Sequence, residues 1–129
     1  MNKLLKIVLI CVAFIGIVNK ANSMTFEEAY EKSYSKPGVV LVYAKWAEGA
    51  EGTLKQYRQV ANYLKSIYNF SELDLASEDA KFFNTKYDIY KNLPYAMTFR
   101  DGGKICRYIP RECSSDAKCL AEKLKSFIK

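Results

Sequence analysis

Apolar residues follow two different rhythms along this chain, and each rhythm predicts an element. Val39 to Ala44 is a continuous β-branched and aliphatic run without alternation, the pattern of a central strand covered on both faces. From about Thr53 the period turns helical: Leu54, Tyr57, Val60, Ala61 and Leu64 recur on one side, with Lys55, Arg58, Gln59 and Lys65 on the other. Those residues predict an amphipathic helix packed on the sheet that the strand belongs to.

The same reading extends in both directions. Thr25-Phe26-Glu27-Glu28 has the spacing of a capping box and predicts a short helix to about Ser33, ended by Lys36-Pro37-Gly38. Phe70 to Leu75 reads as a second, weaker strand. Ser77 is the expected N-cap of a helix to about Lys86, with Glu78 and Asp79 in its first turn, where the helix dipole favours acids. Tyr87 to Asn92 reads as the connection into a strand that starts at Leu93-Pro94-Tyr95 and ends at Arg100. Asp101-Gly102-Gly103 signals a hairpin, Lys104 to Ile109 the return strand, and Pro110 its stop. Ser115-Asp116 caps a last helix whose inward stripe is Ala117, Leu120, Ala121, Leu124 and Phe127 or Ile128. The expected fold class is α/β, a mixed sheet with helices on both faces.

Length and composition narrow this further. A chain of 129 residues, half of them apolar, has room for one compact domain. Its start reads differently from the rest. Lys3 and Lys6 precede an apolar run from Ile7 to Val18, and Ala21-Asn22-Ser23 supplies small residues at a peptidase site. Residues 1–23 are therefore expected to be a signal peptide and residues 24–129 the exported domain, periplasmic or secreted. The run is shorter than the ~20 residues of a membrane span, so membrane association is expected only through an uncleaved signal. Lys3, Lys6 and Lys20 fall in that segment, which leaves 17 basic and 14 acidic residues in the domain. They are interspersed, with no basic run to follow a phosphate backbone, and nucleic acid is not an expected partner.

Chemistry is limited by what is missing. There is no histidine, which removes Cys-His pairs, Ser-His-Asp triads and histidine-ligated zinc, and no metal or cofactor is expected. Export places Cys106, Cys113 and Cys119 where disulfides persist. Three is odd, so the arithmetic gives one bridge and one free thiol, or a bridge between molecules. With Cys113 in the loop before the last helix and Cys119 on its second turn, their α-carbons fall within the ~4.4 to 6.8 Å of a disulfide. Such a pair is either a structural staple or an exchangeable bond. Cys106 is left as the free thiol, expected as a small buried apolar residue.

Three stretches resemble one family in the right order. Tyr43-Ala44-Lys45-Trp46 is similar to the aromatic-Ala-x-Trp step that leads into the thioredoxin redox motif, and Val60-Ala61 falls where the family helix has Ile-Ala. Lys86-Tyr87-Asp88-Ile89 followed by Leu93-Pro94 resembles Lys-Tyr-x-Ile leading into Ile-Pro-Thr, with one extra residue. Phe99-Arg100-Asp101-Gly102-Gly103 resembles the Phe-x-x-Gly hairpin. The resemblance covers about Phe26 to Lys129 and implies a thioredoxin-like three-layer sandwich. It also implies a cis Pro94 facing the tryptophan turn, where an ordinary trans proline at a strand start is the other reading.

The resemblance breaks where the family does its chemistry. Its Cys-x-x-Cys is replaced by Ala47-Glu48-Gly49-Ala50, and a registration shifted by one inserted residue puts Ala50 and Thr53 there instead. Neither registration holds a thiol to attack a disulfide or one to resolve it. Tyr43, Trp46, Leu93, Pro94 and Tyr95 are then expected to frame a groove for a protein or peptide, as in a chaperone-like accessory domain. The alternative is a thiol-disulfide oxidoreductase working through Cys106, Cys113 or Cys119.

Overall fold

A computed structural model of the chain describes residues 24–87 and 92–128. The signal segment at 1–23, and the part of the Tyr87 to Asn92 connection at 88–91, lie outside the described residues. The element order is α1 (Phe26–Lys32), β1 (Gly38–Tyr43), α2 (Ala50–Leu64), β2 (Asn69–Asp74), α3 (Asp79–Lys86), β3 (Tyr95–Arg100), β4 (Ile105–Ile109), α4 (Arg111–Ser114) and α5 (Ala117–Ser126). The strands form one sheet in the order β2-β1-β3-β4. β1 runs parallel to β2, as the intervening α2 crossover requires, and antiparallel to β3, which pairs antiparallel with β4.

Alternate residues of β1 feed two cores. Val39 and Leu41 pack with Tyr57, Val60 and Leu64 of α2 and with Leu120 and Leu124 of α5. Val40 and Val42 point the other way, to Phe26 of α1, Leu73 of β2 and Phe83 of α3. Burial on both faces is why the run shows no alternation. Polar groups inside these layers are paired: the Tyr57 hydroxyl lies 2.6 Å from the Ser71 carbonyl and 3.1 Å from that of Val39, and the Tyr68 hydroxyl donates to the Leu124 carbonyl at 2.7 Å.

Local signals hold where short-range chemistry decides. The Thr25 hydroxyl accepts from the Glu28 amide at 3.1 Å, and the Glu28 carboxylate turns back to the Thr25 amide, which completes the capping box. Asp116 caps α5 through the Lys118 amide at 3.1 Å. In the hairpin, Asp101, Gly102 and Gly103 all have positive φ. A Cβ on Gly103 would run into the Tyr30 ring and the Tyr87 hydroxyl, so this turn needs glycine for space as well as conformation.

Several expectations are corrected. Ser77 does not cap α3: its hydroxyl donates to the Asp74 carbonyl at 2.7 Å, closing the turn after β2, and Glu78 takes the cap position without a side-chain bond. α2 starts at Ala50 rather than near Thr53, because the apolar stripe marks only the turns that meet the sheet. β3 starts at Tyr95, after Leu93 and Pro94. The short α4 between Pro110 and Ser115 was not expected. Cys106 is exposed rather than buried. It lies on β4, the edge strand, whose first four residues are all exposed, and its thiol donates to the Gly103 carbonyl at 3.2 Å. Of the two residues offered for the end of the last stripe, Phe127 packs on the core and Ile128 stays 49% exposed.

Candidate functional site

β1 ends at Tyr43, and the chain turns through Ala44 to Gly49 before α2 begins. Gly49 is the N-cap, with φ of 82°, and no side chain caps the helix. Opposite this turn the chain approaches β3 through Leu93 and Pro94, joined by a cis peptide bond. Between the two lies a cleft of about 330 Å³. Tyr43, Ala44, Ala47 and Glu48 line one side of it; Gly49, Ala50 and Thr53 form its helical end; Leu93 and Pro94 face them. Both registrations of the degenerate motif thus open onto one cleft, and no sulfur lies in its wall.

The last part of the wall comes from residues the sequence reading passed over. Arg111 and Ser115, at the two ends of α4, close the cleft beside Pro94. The buried Ser114 sets α4 there: its hydroxyl accepts from the Ala96 amide at 2.8 Å and donates to the Ile109 carbonyl at 2.7 Å, tying the helix to β3 and β4 together. The Cys113–Cys119 disulfide, with α-carbons 5.1 Å apart, fastens α4 to α5 from behind. Nothing local in the sequence marks Arg111; a cation two residues before a bridged cysteine was the only signal.

Other groove candidates are divided. Tyr43, half-buried, lines the cleft, whereas Trp46 is 79% exposed on the turn and is not among the cleft's lining residues. Tyr95, expected at the groove, is buried in the second core, its ring 5.3 Å from that of Tyr108. The reason is register. Tyr95 pairs with Val42, whose side chain points away from α2, the helix that begins at the cleft. Burial, reinforced by Tyr108, pushes its phenol up to about 12.

A larger groove of about 830 Å³ runs along the outer side of α2 over β2 and shares Tyr43 and Ala50 with the cleft. Across it Arg58 makes a two-pronged pair with Glu72, at 2.8 and 2.9 Å. Partial burial, with Glu72 and Asp74 nearby, raises the Tyr43 phenol above its ordinary value. Among the described residues no group of His, Cys, Asp and Glu is arranged to hold a metal ion, and no helix is long and apolar enough to cross a membrane.

Sheet order, helices on both faces and a cis proline opposite a helix N-terminus define a thioredoxin-like fold. No protein-family model and no curated protein matches the chain by sequence. Solved structures match it well in shape. The Trx4 domain of ERdj5 superposes with a TM-score of 0.63 at 16% identity, covering 83% of this chain and 94% of that domain. The structure of ferredoxin:thioredoxin reductase with thioredoxin f2 gives 0.63 at 12% identity, covering 81% and 88%. Mitochondrial thioredoxin 3 from Saccharomyces cerevisiae gives 0.58 at 14% identity, covering 78% and 87%. Identities this low establish the fold and leave the activity to the site itself.

Proposed function

We propose that this chain is an exported thioredoxin-fold protein that holds an extended protein or peptide segment in the cleft between the tryptophan turn and Pro94, without dithiol exchange. One observation carries the reading: the cleft is framed as a substrate groove, yet Ala47, Ala50 and Thr53 leave its wall without sulfur. Exchange needs a thiolate to form a mixed disulfide and a second thiol to release it. Neither can act from this cleft. A bare cleft with exposed Trp46 at its turn retains what recognition needs, a concave apolar surface beside an aromatic anchor.

The test has two arms. Insulin reduction by the purified protein should not rise above a cysteine-free control, and clear turnover overturns the reading. Trp46 is the single tryptophan, so its emission reports directly on the turn. An unfolded, carboxymethylated polypeptide should shift that emission saturably; no shift, with no binding by calorimetry, also overturns it. Installing cysteines through Ala47→Cys and Ala50→Cys should create reductase activity.

The oxidoreductase alternative has the Cys113–Cys119 bond in its favour, but Cys113 is only 5% exposed and neither sulfur lines the cleft. Thiol labelling across graded potentials separates the two readings. A bond that opens at about −120 to −270 mV belongs with catalysts, and one that resists belongs with staples.

A further inference from the structure

Lysines and arginines that are interspersed with acids along the chain are gathered by the fold at one end of the sheet. Register defines that end: Gly38 of β1 lies beside Asn69 of β2 and Phe99 of β3, and Arg100 beside Ile105 of β4. α1, α2, α3 and α5 all finish there. Lys32 closes α1, Lys65 caps α2, Lys86 closes α3, and Lys123 and Lys125 lie in the last turn of α5. Cations suit helix C-termini, so aligned helices collect them. Contacts join these endings: Lys36 donates to the Lys65 carbonyl at 2.7 Å, Lys125 to the Tyr63 hydroxyl at 2.9 Å, and Lys86 lies 5.5 Å over the Tyr30 ring. The hairpin and β4 add Arg100, Lys104 and Arg107. Opposing them are Glu31 and Asp101, with Glu122 just before the last turn of α5. The same end carries uncovered apolar surface, with Tyr34 71%, Tyr63 64%, Ile128 49% and Ile105 39% exposed. Between the hairpin and the end of α5 opens a slot of about 250 Å³, lined by Ile67, Phe99, Ile105, Phe127 and Ile128 together with Arg100 and Arg107. No carboxylate lines it among the described residues. At the cleft end the helix starts carry acids instead: Glu27 and Glu28 in α1, Glu51 in α2, Asp79 in α3 and Asp116 before α5, with Lys45, Lys81, Arg111 and Lys118 among them.

We propose that the hairpin end of the domain docks on an anionic membrane surface, its cations against lipid headgroups and Tyr34, Ile105 and Ile128 at the boundary with the acyl chains. Charge draws such a surface to anionic lipid, and burial of the apolar side chains holds it there. Charge complementarity favours that occupant, because this end is basic where the domain as a whole is only slightly so. Backbone direction favours it as well. Met24 bridges Ser71 in parallel with β2, so the backbone at Met24 runs away from the hairpin end, and the segment holding the apolar run Ile7 to Val18 is joined on that side. Membrane contact then rests on a folded surface and not on the signal segment alone. Docked this way, the domain turns its cleft, beyond the far end of β1, away from the lipid and into solvent. The docking surface stands independently of what the cleft binds.

The test is co-sedimentation of the purified full chain with phosphatidylcholine vesicles containing about 30% phosphatidylglycerol, against pure phosphatidylcholine, at about 50 and about 500 mM NaCl. The readout is the excess bound to anionic vesicles at low salt, which should fall by about tenfold at high salt. Arg100→Gln with Lys104→Gln should lower the anionic partition coefficient by about tenfold, and Ile105→Ser with Ile128→Ser by less. Lys45→Gln with Lys118→Gln makes the same charge change at the cleft end and should leave it within about twofold. Thermal melts of each variant confirm that the fold is kept. Equal losses from the two charge pairs mean net charge only and overturn the docking surface, as does an absence of excess. Where a retained signal run ties the chain to both vesicles, amide exchange carries the comparison: residues 100–105 should be protected on anionic vesicles alone, and equal exchange on both overturns the proposal. Trp46, the single tryptophan, should keep its solvent-exposed emission on anionic vesicles and escape quenching by brominated lipid. A blue shift with quenching puts the cleft end on the membrane and overturns the orientation. Tighter binding of a single-stranded oligonucleotide than of anionic vesicles at equal salt assigns the basic end to nucleic acid and overturns the proposal. None of these outcomes alters the peptide test of the cleft.

Discussion

The two ends of the sheet are built from similar residues to opposite effect. At the hairpin end, Tyr30, Tyr34 and Tyr87 lie directly on Gly102 and Gly103, with no room for a Cβ on either glycine. The turn is tied down further, since the Ser33 carbonyl and hydroxyl each accept an amide of the hairpin at 2.9 Å. At the cleft end, Gly49 also has positive φ, yet nothing lies within 4 Å of its would-be Cβ, and Trp46 stands 79% exposed. Tyr34 at the hairpin is itself 71% exposed, so what separates the two ends is the space around their glycines, filled by tyrosine rings at one and open at the other, rather than aromatic exposure.

The strongest way to break this comparison is a matched pair of substitutions. Gly103→Ala adds a steric clash to left-handed strain and should cost about 2 to 5 kcal/mol. Gly49→Ala meets open space and should cost about 1 to 2 kcal/mol, from strain alone. Urea unfolding of both variants measures the difference, and equal costs would erase the distinction between the ends. Next in size is the staple behind the cleft. The bridge spans a sequence separation of 6, so Cys113→Ser with Cys119→Ser should cost about 2 kcal/mol.

Tyr95 sharpens the comparison through pH. It follows Pro94 in sequence but belongs to the closed core, and burial raises its phenol to about 12. The unfolded chain ionises this group near the ordinary value of about 10, so above that the unfolded state holds fewer protons. Its stabilising share is therefore complete below pH 10 and is lost as pH rises towards 12. Tyr95→Phe should flatten this part of the stability profile, measured by denaturant midpoints with ultraviolet titration of the phenolates alongside. The smallest effect belongs to Trp46. Trp46→Ala should change stability by less than about 0.5 kcal/mol while impairing peptide binding. Loss of stability comparable to a core substitution would show that the turn is structural after all.

Much of the fold was legible because it rests on patterns within a few residues. The capping box at Thr25 and Glu28, the doubly buried run of β1, the stripe of α2 and the glycine hairpin are all local, and the structure follows them. Readings failed where a competing partner or the sheet pairing made the choice. Ser77 is a good cap by type, but the nearby Asp74 carbonyl claims its hydroxyl. Cys106 is apolar enough for a core, but it falls on the strand that no further strand covers. Tyr95 sits beside the proline in sequence, yet pairing with Val42 sends its side chain to the other face.

The sequence by itself determined the element order apart from the short α4, the thioredoxin-like architecture and the absence of sulfur at positions 47, 50 and 53, because periodicity and residue identity need no partner to be read. Only the tertiary structure decided that Arg111 and Ser115 line one cleft with Thr53, at a helix end that no side chain caps. That convergence depends on Ser114 tying α4 to Ala96 of β3, 18 residues back in the chain, as well as to Ile109 of β4, and on the disulfide behind it. Periodicity reports which face of an element is buried, and long-range packing alone sets what that element faces.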